Sequence, residues 1–382
     1  VDGGGRALSE VDSGRVPSFG VYVHFPWCRA RCPYCDFAIA IAPLQAIPHT
    51  RYADRVLAEL AVRAPRFDGM ELLSIYFGGG TPALWRADEL GRVRRAVADR
   101  FGAPVEVTVE ANPNDCRPEV LEPLAAAGVT RLSIGAQSFK DGDLVFLGRD
   151  HDARAPAQAV AAARRAGFAE VSLDLICALP GRAIDLEPAL ALAPEHLSVY
   201  QLTIEPRTPF GAHKVAPAPD DEAGAELERV HERLVAAGYE HYEVSSFARP
   251  GHRARHNALY WRGAPYLGLG NGAHSFWTDG VRGLRWAAHR SVVRYLAGEP
   301  QPDLGRDTGV AEVAEQDAAA LAADRLWLGM RTSDGVDRAL CPEPQLPRLV
   351  AAGLVVVEPD RVRPTARGLR FADEIGARLL LE

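Results

Sequence analysis

No stretch of the sequence approaches the ~18 consecutive apolar residues of a membrane-spanning helix. The longest candidate, Phe37 to Ile47, is short and is broken by Pro43 and Gln45. Positive charge is not in excess: 43 basic residues face 50 acidic ones, for a net charge of −7. That excludes bulk electrostatic binding to nucleic acid or to an anionic membrane. Cysteine is scarce, six residues in all, at 28, 32, 35, 116, 177 and 341. Three cluster and three are scattered, which is no disulfide framework; it fits a cytoplasmic protein with one thiolate site. Residues 1–19 lack the apolar core of a signal peptide and read as a disordered tail. Repeats beyond strand–helix units, and low-complexity tracts, are also missing.

What is present is ordinary globular material, 47% apolar and 24% charged over 382 residues. That length predicts two or three domains, or one large barrel with a smaller partner. From Gly20 to about Phe247, short apolar runs alternate with alanine-rich helical stretches. The strands are expected at Gly20–Phe25, Leu72–Phe77, Val105–Glu110, Arg131–Ala136, Val171–Ile176 and His196–Leu202, buried on both faces of a parallel sheet. A helix is expected from Thr50 as its cap. Three helices end at Gly128, Gly167 and Gly238, each followed by a strand-like run. Doubly wound sheet and βα barrel both satisfy this alternation. Residues 248–285 are rich in Gly, His, Trp and Tyr, and 248–302 read as an irregular binding loop and linker. Residues 303–382 read as a C-terminal α+β domain, helical over Ala311–Gly329. A helix–hairpin–helix order resembling a winged helix follows, and it reads as a structural cap because no Arg/Lys stripe accompanies it.

The densest chemical signal is His24-Phe25-Pro26-Trp27-Cys28-Arg29-Ala30-Arg31-Cys32-Pro33-Tyr34-Cys35. Given Cys28, chance places cysteines at both +4 and +7 on the order of 0.0002 of the time. Thiolates this close must share a soft metal or a cluster. Zinc would take four ligands, with His24 as the fourth. A four-iron cluster on three thiolates would keep one iron open for chemistry. His24, inside a strand-like run, reads as a wall residue rather than a ligand.

Beyond the cysteines, the strand ending at Phe77 enters Gly78-Gly79-Gly80-Thr81-Pro82, where absent side chains let backbone amides approach a ligand. Glu110 ends the third strand, Gln137 follows the fourth, Arg149 lies in the loop beyond, and Asp174 is in the fifth. A carboxylate such as Asp174, costly to bury unpaired, is expected to face a polar pocket. All lie at strand carboxyl ends, where βα folds keep their sites.

The spacing C-x3-C-x2-C after a first strand resembles the radical S-adenosylmethionine (SAM) superfamily. The segments Tyr22-x-His24-Phe25-Pro26-Trp27-Cys28, Phe77 to Pro82, Glu110-Ala111-Asn112-Pro113, Arg131 to Phe139, Asp174-Leu175-Ile176 and Leu179-Pro180-Gly181 resemble its anaerobic coproporphyrinogen III oxidase family, over roughly Gly20 to the C-terminus. The resemblance implies a partial (β/α)6 barrel with a separate C-terminal domain. It implies a [4Fe-4S] cluster on Cys28, Cys32 and Cys35, and SAM chelating the open iron. Its SAM-site residues map onto Tyr22, Tyr34, Gly79, Gly80, Thr81, Glu110, Gln137, Arg149 and Asp174, some of them belonging to a second SAM site in the oxidase.

That family has an oxidase branch, which removes two propionate carboxylates from coproporphyrinogen, and a heme-chaperone branch. The oxidase carries a further cysteine where this sequence has Phe37, and an N-terminal arm longer than the 19 residues before Gly20. The chaperone branch carries His-Asn-x-x-Tyr-Trp, matched by His256-Asn257-Ala258-Leu259-Tyr260-Trp261. Heme calls for a nitrogen ligand and flat aromatic walls. His256 is the expected iron ligand, with His252 and His274 as rivals. Tyr260 and Trp261 would be the walls, and Arg253, Arg255 or Arg262 the propionate anchors. The expected function is a cytoplasmic heme chaperone with a cluster, SAM and heme. It would hand heme to acceptor proteins, respiratory or membrane-associated among them, and bind no nucleic acid. A porphyrinogen oxidase is the alternative.

Overall fold

The computed structural model describes residues 16–381. Six parallel strands form its centre: β1 (Ser18–Phe25), β2 (Glu71–Gly79), β3 (Glu106–Ala111), β4 (Arg131–Gln137), β5 (Glu170–Cys177) and β6 (His196–Gln201), hydrogen-bonded in that order. Each expected strand is found within two residues of its expected ends. Each alternates with period two, so its side chains divide between two faces. Phe19, Val21, Val23, Ile75, Phe77, Val107, Val109, Leu132, Ile134, Leu173 and Val199 belong to one continuous apolar core. Helices α1 (His49–Arg63), α2 (Ala87–Phe101), α3 (Pro118–Ala126), α4 (Ala155–Arg165) and α5 (Asp220–Ala236) cover that face with Val56, Leu90, Leu121, Val160 and Val230.

The opposite face is buried too, as expected of these strands, but it is polar: Ser74, Thr108 and Ser172 are 0% exposed and His196 1%. Tyr76 donates to Glu110 at 2.8 Å, Ser133 to Asp174 at 3.0 Å, and Ser172 is bonded to His196 at 2.8 Å. Buried polar groups are tolerated because they satisfy one another across neighbouring strands. The result is a partial (β/α)6 barrel with a hydrogen-bonded lumen. Gly128, Gly167 and Gly238 end their helices with φ of 89°, 91° and 87°, the left-handed geometry expected of them. Thr50 does not cap α1; its hydroxyl donates to Glu89 from inside the first turn.

Residues 248–302 are not an irregular loop. Strands β7 (Glu240–Glu243) and β8 (Ser246–Ala248) extend one edge of the sheet; β9 (Tyr266–Leu269), β10 (His274–Thr278), β11 (Gly283–Ala288) and β12 (Val310–Gln316) extend the other, to twelve strands. Strand β12 occupies the first part of the stretch expected to be helical from Ala311, and the helix α7 starts only at Ala318 (Ala318–Gly329). Between the extensions, α6 (Arg255–Trp261) closes the foot of the barrel. Its first amides, of Arg255 and His256, donate to the Glu106 carboxylate at 3.0 and 3.1 Å, satisfying a helix N-terminus that would otherwise be bare.

The C-terminal unit contains α7, a sheet in the order β13 (Val336–Asp337), β15 (Arg361–Pro364), β14 (Val355–Val357), and helices α8 (Leu346–Ala351) and α9 (Ala372–Leu381). This winged-helix-like unit has its own core of Leu326, Met330, Leu349, Val362 and Ile375. It docks through Ser333 N to the Tyr242 carbonyl at 2.9 Å and Arg253 to Asp334 at 3.1 Å. Of the expected tail, residues 1–15 lie outside the described residues, and Ser18-Phe19 already belong to β1. No helix among the described residues is long and apolar enough to cross a membrane.

His256 generates a prediction. Burial lowers its pKa from 6.5 to about 3. The unfolded imidazole protonates first as pH falls, so stability is lost between 6.5 and 3. Half-buried Glu110 and buried Glu243, both raised to about 7, act in the opposite sense. The comparison is therefore with His256→Gln. From pH 7 to 5, wild type should lose about 2 kcal/mol more unfolding free energy than the variant, measured by denaturant titration at each pH.

Candidate functional site

Strand β1 delivers the chain to the cysteine loop. Trp27-Cys28 pairs in parallel with Ala40-Ile41, which closes the loop on itself. Four strand-end segments brace it. From the β2 end, Gly80 N donates to the Phe25 carbonyl at 2.7 Å and Thr81 N to the Trp27 carbonyl at 2.9 Å. Beyond β3, Asp115 accepts from Arg29 at 2.6 and 3.0 Å. Beyond β4, Arg149 Nη1 reaches Cys32 Sγ at 3.4 Å while its Nη2 donates to the Asn112 side chain and the Gly135 carbonyl. Beyond β6, Phe210 N donates to the Pro33 carbonyl at 2.9 Å.

All three thiols are half-buried on this loop. Thr81 Oγ1 lies 3.5 Å from Cys28 Sγ, so two of the sulfurs have a polar hydrogen-bond donor beside them. Burial, with Cys35 and Cys32 adding to it, pushes the Cys28 thiol up to about 12. A metal centre here must displace thiol protons as it forms. His24 is no fourth ligand: its Nε2–H donates to the Ala38 carbonyl at 3.0 Å and its Nδ1 accepts from Tyr22 at 3.0 Å. Among the described residues no three His, Cys, Asp or Glu side chains close on a point suited to one ion. A four-iron cluster, taking one thiolate per iron, needs no such point. The donor set, three soft thiols and no more, fits that cluster.

The glycine turn works differently from expectation. Its amides are already engaged: Gly79 N donates to Glu110 Oε2 at 3.0 Å, and Gly80 N and Thr81 N hold the cysteine loop. What remains of the turn for an ammonium group is acceptor chemistry, that of backbone carbonyl oxygens. The glycines are required sterically. A Cβ on Gly79 would run into the His24 ring, and one on Gly80 would stand 2.7 Å from the Pro26 carbonyl and the Trp27 oxygen.

The remaining expected residues converge on the same mouth. Glu110 is raised to about 7, by burial first and by neighbouring Asp174, against the pull of Tyr76 and Gly79. Asp174 is held by Ser133 and is itself raised by burial. Gln137 ends β4 with φ of 62°, a left-handed conformation rare outside glycine. Tyr34 packs on the patch of Leu147, Ile176 and Phe210. Sequence reasoning missed Tyr76, which fastens Glu110, and Asn112, which donates to Thr81 at 3.0 Å and accepts from Arg149. The alternation of Ser74-Ile75-Tyr76-Phe77 was a readable sign of Tyr76's inward face.

The heme residues are placed otherwise than expected. His256 is 1% exposed; its Nδ1 is bonded to Ser74 at 2.9 Å and its Nε2 to Tyr260 at 2.9 Å, and it stacks on Tyr76 with ring centroids 5.1 Å apart. It has no free nitrogen for iron in this conformation, because it is the plug of the barrel foot. Tyr260 packs edge-on against Tyr266 and lines a cleft of about 200 Å³ with Phe276, Arg285 and Trp327. Trp261 is half-buried. Arg253 is paired with Glu240 and Asp334, and Arg262 also faces Asp334. His252 is tied to Glu170 at 2.7 Å, whereas Arg255 and His274 are exposed.

A three-thiol loop at the carboxyl end of the first strand of a partial barrel defines a radical SAM protein, and the model of the radical SAM superfamily matches residues 22–193. That superfamily implies a [4Fe-4S] cluster and SAM. The chain is 36% identical to the heme chaperone HemW of Mycobacterium tuberculosis over 95% of each chain. It is 39% identical to that of Escherichia coli over 68% of this chain and 70% of the relative. Radical S-adenosyl methionine domain-containing protein 1, mitochondrial, of Mus musculus is 34% identical over 94% and 87%. The chain belongs to the HemW family. The coproporphyrinogen III oxidase HemN of Escherichia coli has the same fold, with a TM-score of 0.77, 21% identity, and coverage of 96% of this chain and 91% of the oxidase.

The close approach at Gly80 is testable. Gly80→Ala should cost about 1–3 kcal/mol through overpacking against backbone. Gly224→Ala, in α5 with nothing within 4 Å of its Cβ, should be neutral or stabilising by up to about 1 kcal/mol. Thermal unfolding of both variants checks this.

Proposed function

We propose that this chain is a heme chaperone: it binds heme and transfers it to acceptor proteins, using a radical-SAM barrel as its scaffold. The observation that carries the reading is the 36% identity to a heme chaperone along 95% of the chain. Phe37, 62% exposed where the oxidase branch carries a further cysteine, supports it. The carrier would work in the cytoplasm, and its acceptors include respiratory, membrane-associated proteins.

Cys28, Cys32 and Cys35 would hold the cluster, which supplies an open iron for SAM. Tyr22, Tyr34, Gly79, Gly80, Thr81, Glu110, Gln137, Arg149 and Asp174 would hold SAM. Carbonyl oxygens of the glycine turn would suit its ammonium group. Glu110, ionised above about 7, suits ribose hydroxyls and the positive charge nearby. Arg149, bridging Cys32 and Asn112, carries the positive charge that a carboxylate needs. In this reading SAM is a cluster ligand and a regulatory switch, and the protein turns over no porphyrinogen.

The cluster assignment predicts that serine at position 28, 32 or 35 abolishes iron and sulfide binding after anaerobic reconstitution. Serine at 116, 177 or 341 should leave both intact; those cysteines are buried in the apolar cores. Iron and acid-labile sulfide analysis decides it, and stoichiometric zinc without iron in the wild type would refute it.

The chaperone assignment predicts about one heme bound per monomer in an absorbance titration of the reconstituted protein. Under the same anaerobic conditions, with SAM and a reductant, coproporphyrinogen should remain unconverted by chromatography. Protoporphyrinogen formed at enzyme-like rates would replace this reading by that of an oxidase.

A further inference from the structure

A cleft of about 540 Å³ lies between the last turn of α1, with the residues that follow it, and strand β10. Helix α1 runs back from the cysteine loop to the start of β2, so its last turn stands at the foot of the barrel, at the opposite end from the thiols. The volume falls within the roughly 300–1,000 Å³ of small-molecule and cofactor clefts. Val62, Pro65, Pro302 and the half-buried Trp277 make its walls apolar.

Two arginines border this apolar surround, one exposed and one buried. Arg66 is exposed and stands over the indoles of Trp277 and Trp286, 6.0 and 5.8 Å from their ring centroids. Among the described residues no carboxylate pairs with it. Burial and the neighbouring Arg63 both disfavour its charge. Arg63 is 3% exposed; it donates to the Gln301 carbonyl and the Asp307 carboxylate, which leaves its Nε buried with no partner. An unpaired N–H on a buried charged group costs about 1–3 kcal/mol. A carboxylate entering the cleft would meet the unpaired Arg66 guanidinium, with the buried Arg63 charge beside it, and the body attached to it would meet indole and proline.

We propose that this cleft is a docking site for a porphyrin carboxylate, its flat ring against Trp277 and one propionate on Arg66. The proposal rests on the heme-chaperone reading and gives it a place. The lining contains no His, Cys, Met or Tyr, so the ring is held by its face and its carboxylate, without a bond to iron. Such cargo dissociates without breaking a coordinate bond, which suits a carrier that must release it. It also leaves His256 in its structural seat.

The test is a titration of the full chain with heme and, separately, with iron-free protoporphyrin IX, followed by tryptophan quenching and absorbance. Wild type should bind both with affinities within about threefold. Arg66→Glu and Trp277→Leu should each weaken both by about tenfold or more, the scale of a lost hydrogen bond to a charged group. Octaethylporphyrin, which lacks carboxylates, should bind like the Arg66→Glu variant binds heme. An unchanged thermal midpoint for Arg66→Glu separates lost binding from a lost fold. If heme binds wild type and both variants alike, the cleft is not the site while the chaperone reading stands. If heme binds and iron-free protoporphyrin does not, an iron ligand elsewhere holds it and the proposal falls. If wild type binds no heme, the chaperone reading falls with it.

Discussion

The backbone of the Gly78-Gly79-Gly80 turn touches the backbone of Pro26 and Trp27 directly, and the position of the thiol loop depends on that contact. Two amide–carbonyl bonds, from Gly80 to Phe25 and from Thr81 to Trp27, fix the chain one residue before Cys28. No side chain fits between these segments, so the register of the loop against β2 has no soft alternative. The same turn fastens Glu110 through the Gly79 amide. Thus one local backbone geometry sets both the cysteines and the nearest carboxylate. The outer braces, Arg29–Asp115 and Arg149 on Cys32 and Asn112, then hold the loop from the β3 and β4 ends. A site built this way is preorganised before any metal arrives.

The barrel reconciles that polar site with a stable core by dividing labour between the two faces of each strand. Apolar residues pack outward under the helices, where close packing provides stability. Polar residues face the lumen and satisfy one another in pairs: Tyr76 with Glu110, Ser133 with Asp174, Ser172 with His196. Each pair spans neighbouring strands, so no single strand can shift register without stranding a buried polar atom. At the foot, His256 closes the lumen with both nitrogens bonded. Tyr76 stacks on it, and Tyr260 meets it edge-on and meets Tyr266 in the same way. The His-Asn-x-x-Tyr-Trp segment is therefore part of the barrel's architecture as well as a mark of its family.

Much of this was legible from local pattern. Six strands and the glycine stops of their connecting helices follow from short-range periodicity and from φ requirements that operate within a few residues. The thiol triad stood out because three soft ligands in eight residues have few other uses. Less visible was the destination of residues 248–302. Their composition reads as a loop because aromatic and glycine-rich strands at a sheet edge lack a clean alternation. Only pairing with β1 and with one another makes β9, β10 and β11 strands. Likewise Val310–Gln316 has the alanine and glutamate of a helix, and becomes a strand because β11 offers it an edge.

The amino-acid order by itself determined the parallel βα architecture, the three closely spaced thiols, the strand-end carboxylates and the absence of an oxidase-type fourth cysteine at Phe37. These are properties of single segments, set by spacing and residue chemistry. Tertiary structure alone decided which hydrogen-bonding groups remain available. It engaged the glycine amides in holding the loop, took both nitrogens of His24 and His256, and turned Arg253 toward Asp334. Among the described residues it also left Arg66 without a carboxylate and the Nε of Arg63 without a partner. Availability is a property of what lies opposite a group in space. Residues far apart in the chain, such as Ser74 and His256 or Arg66 and Trp277, are brought together only by the closed sheet.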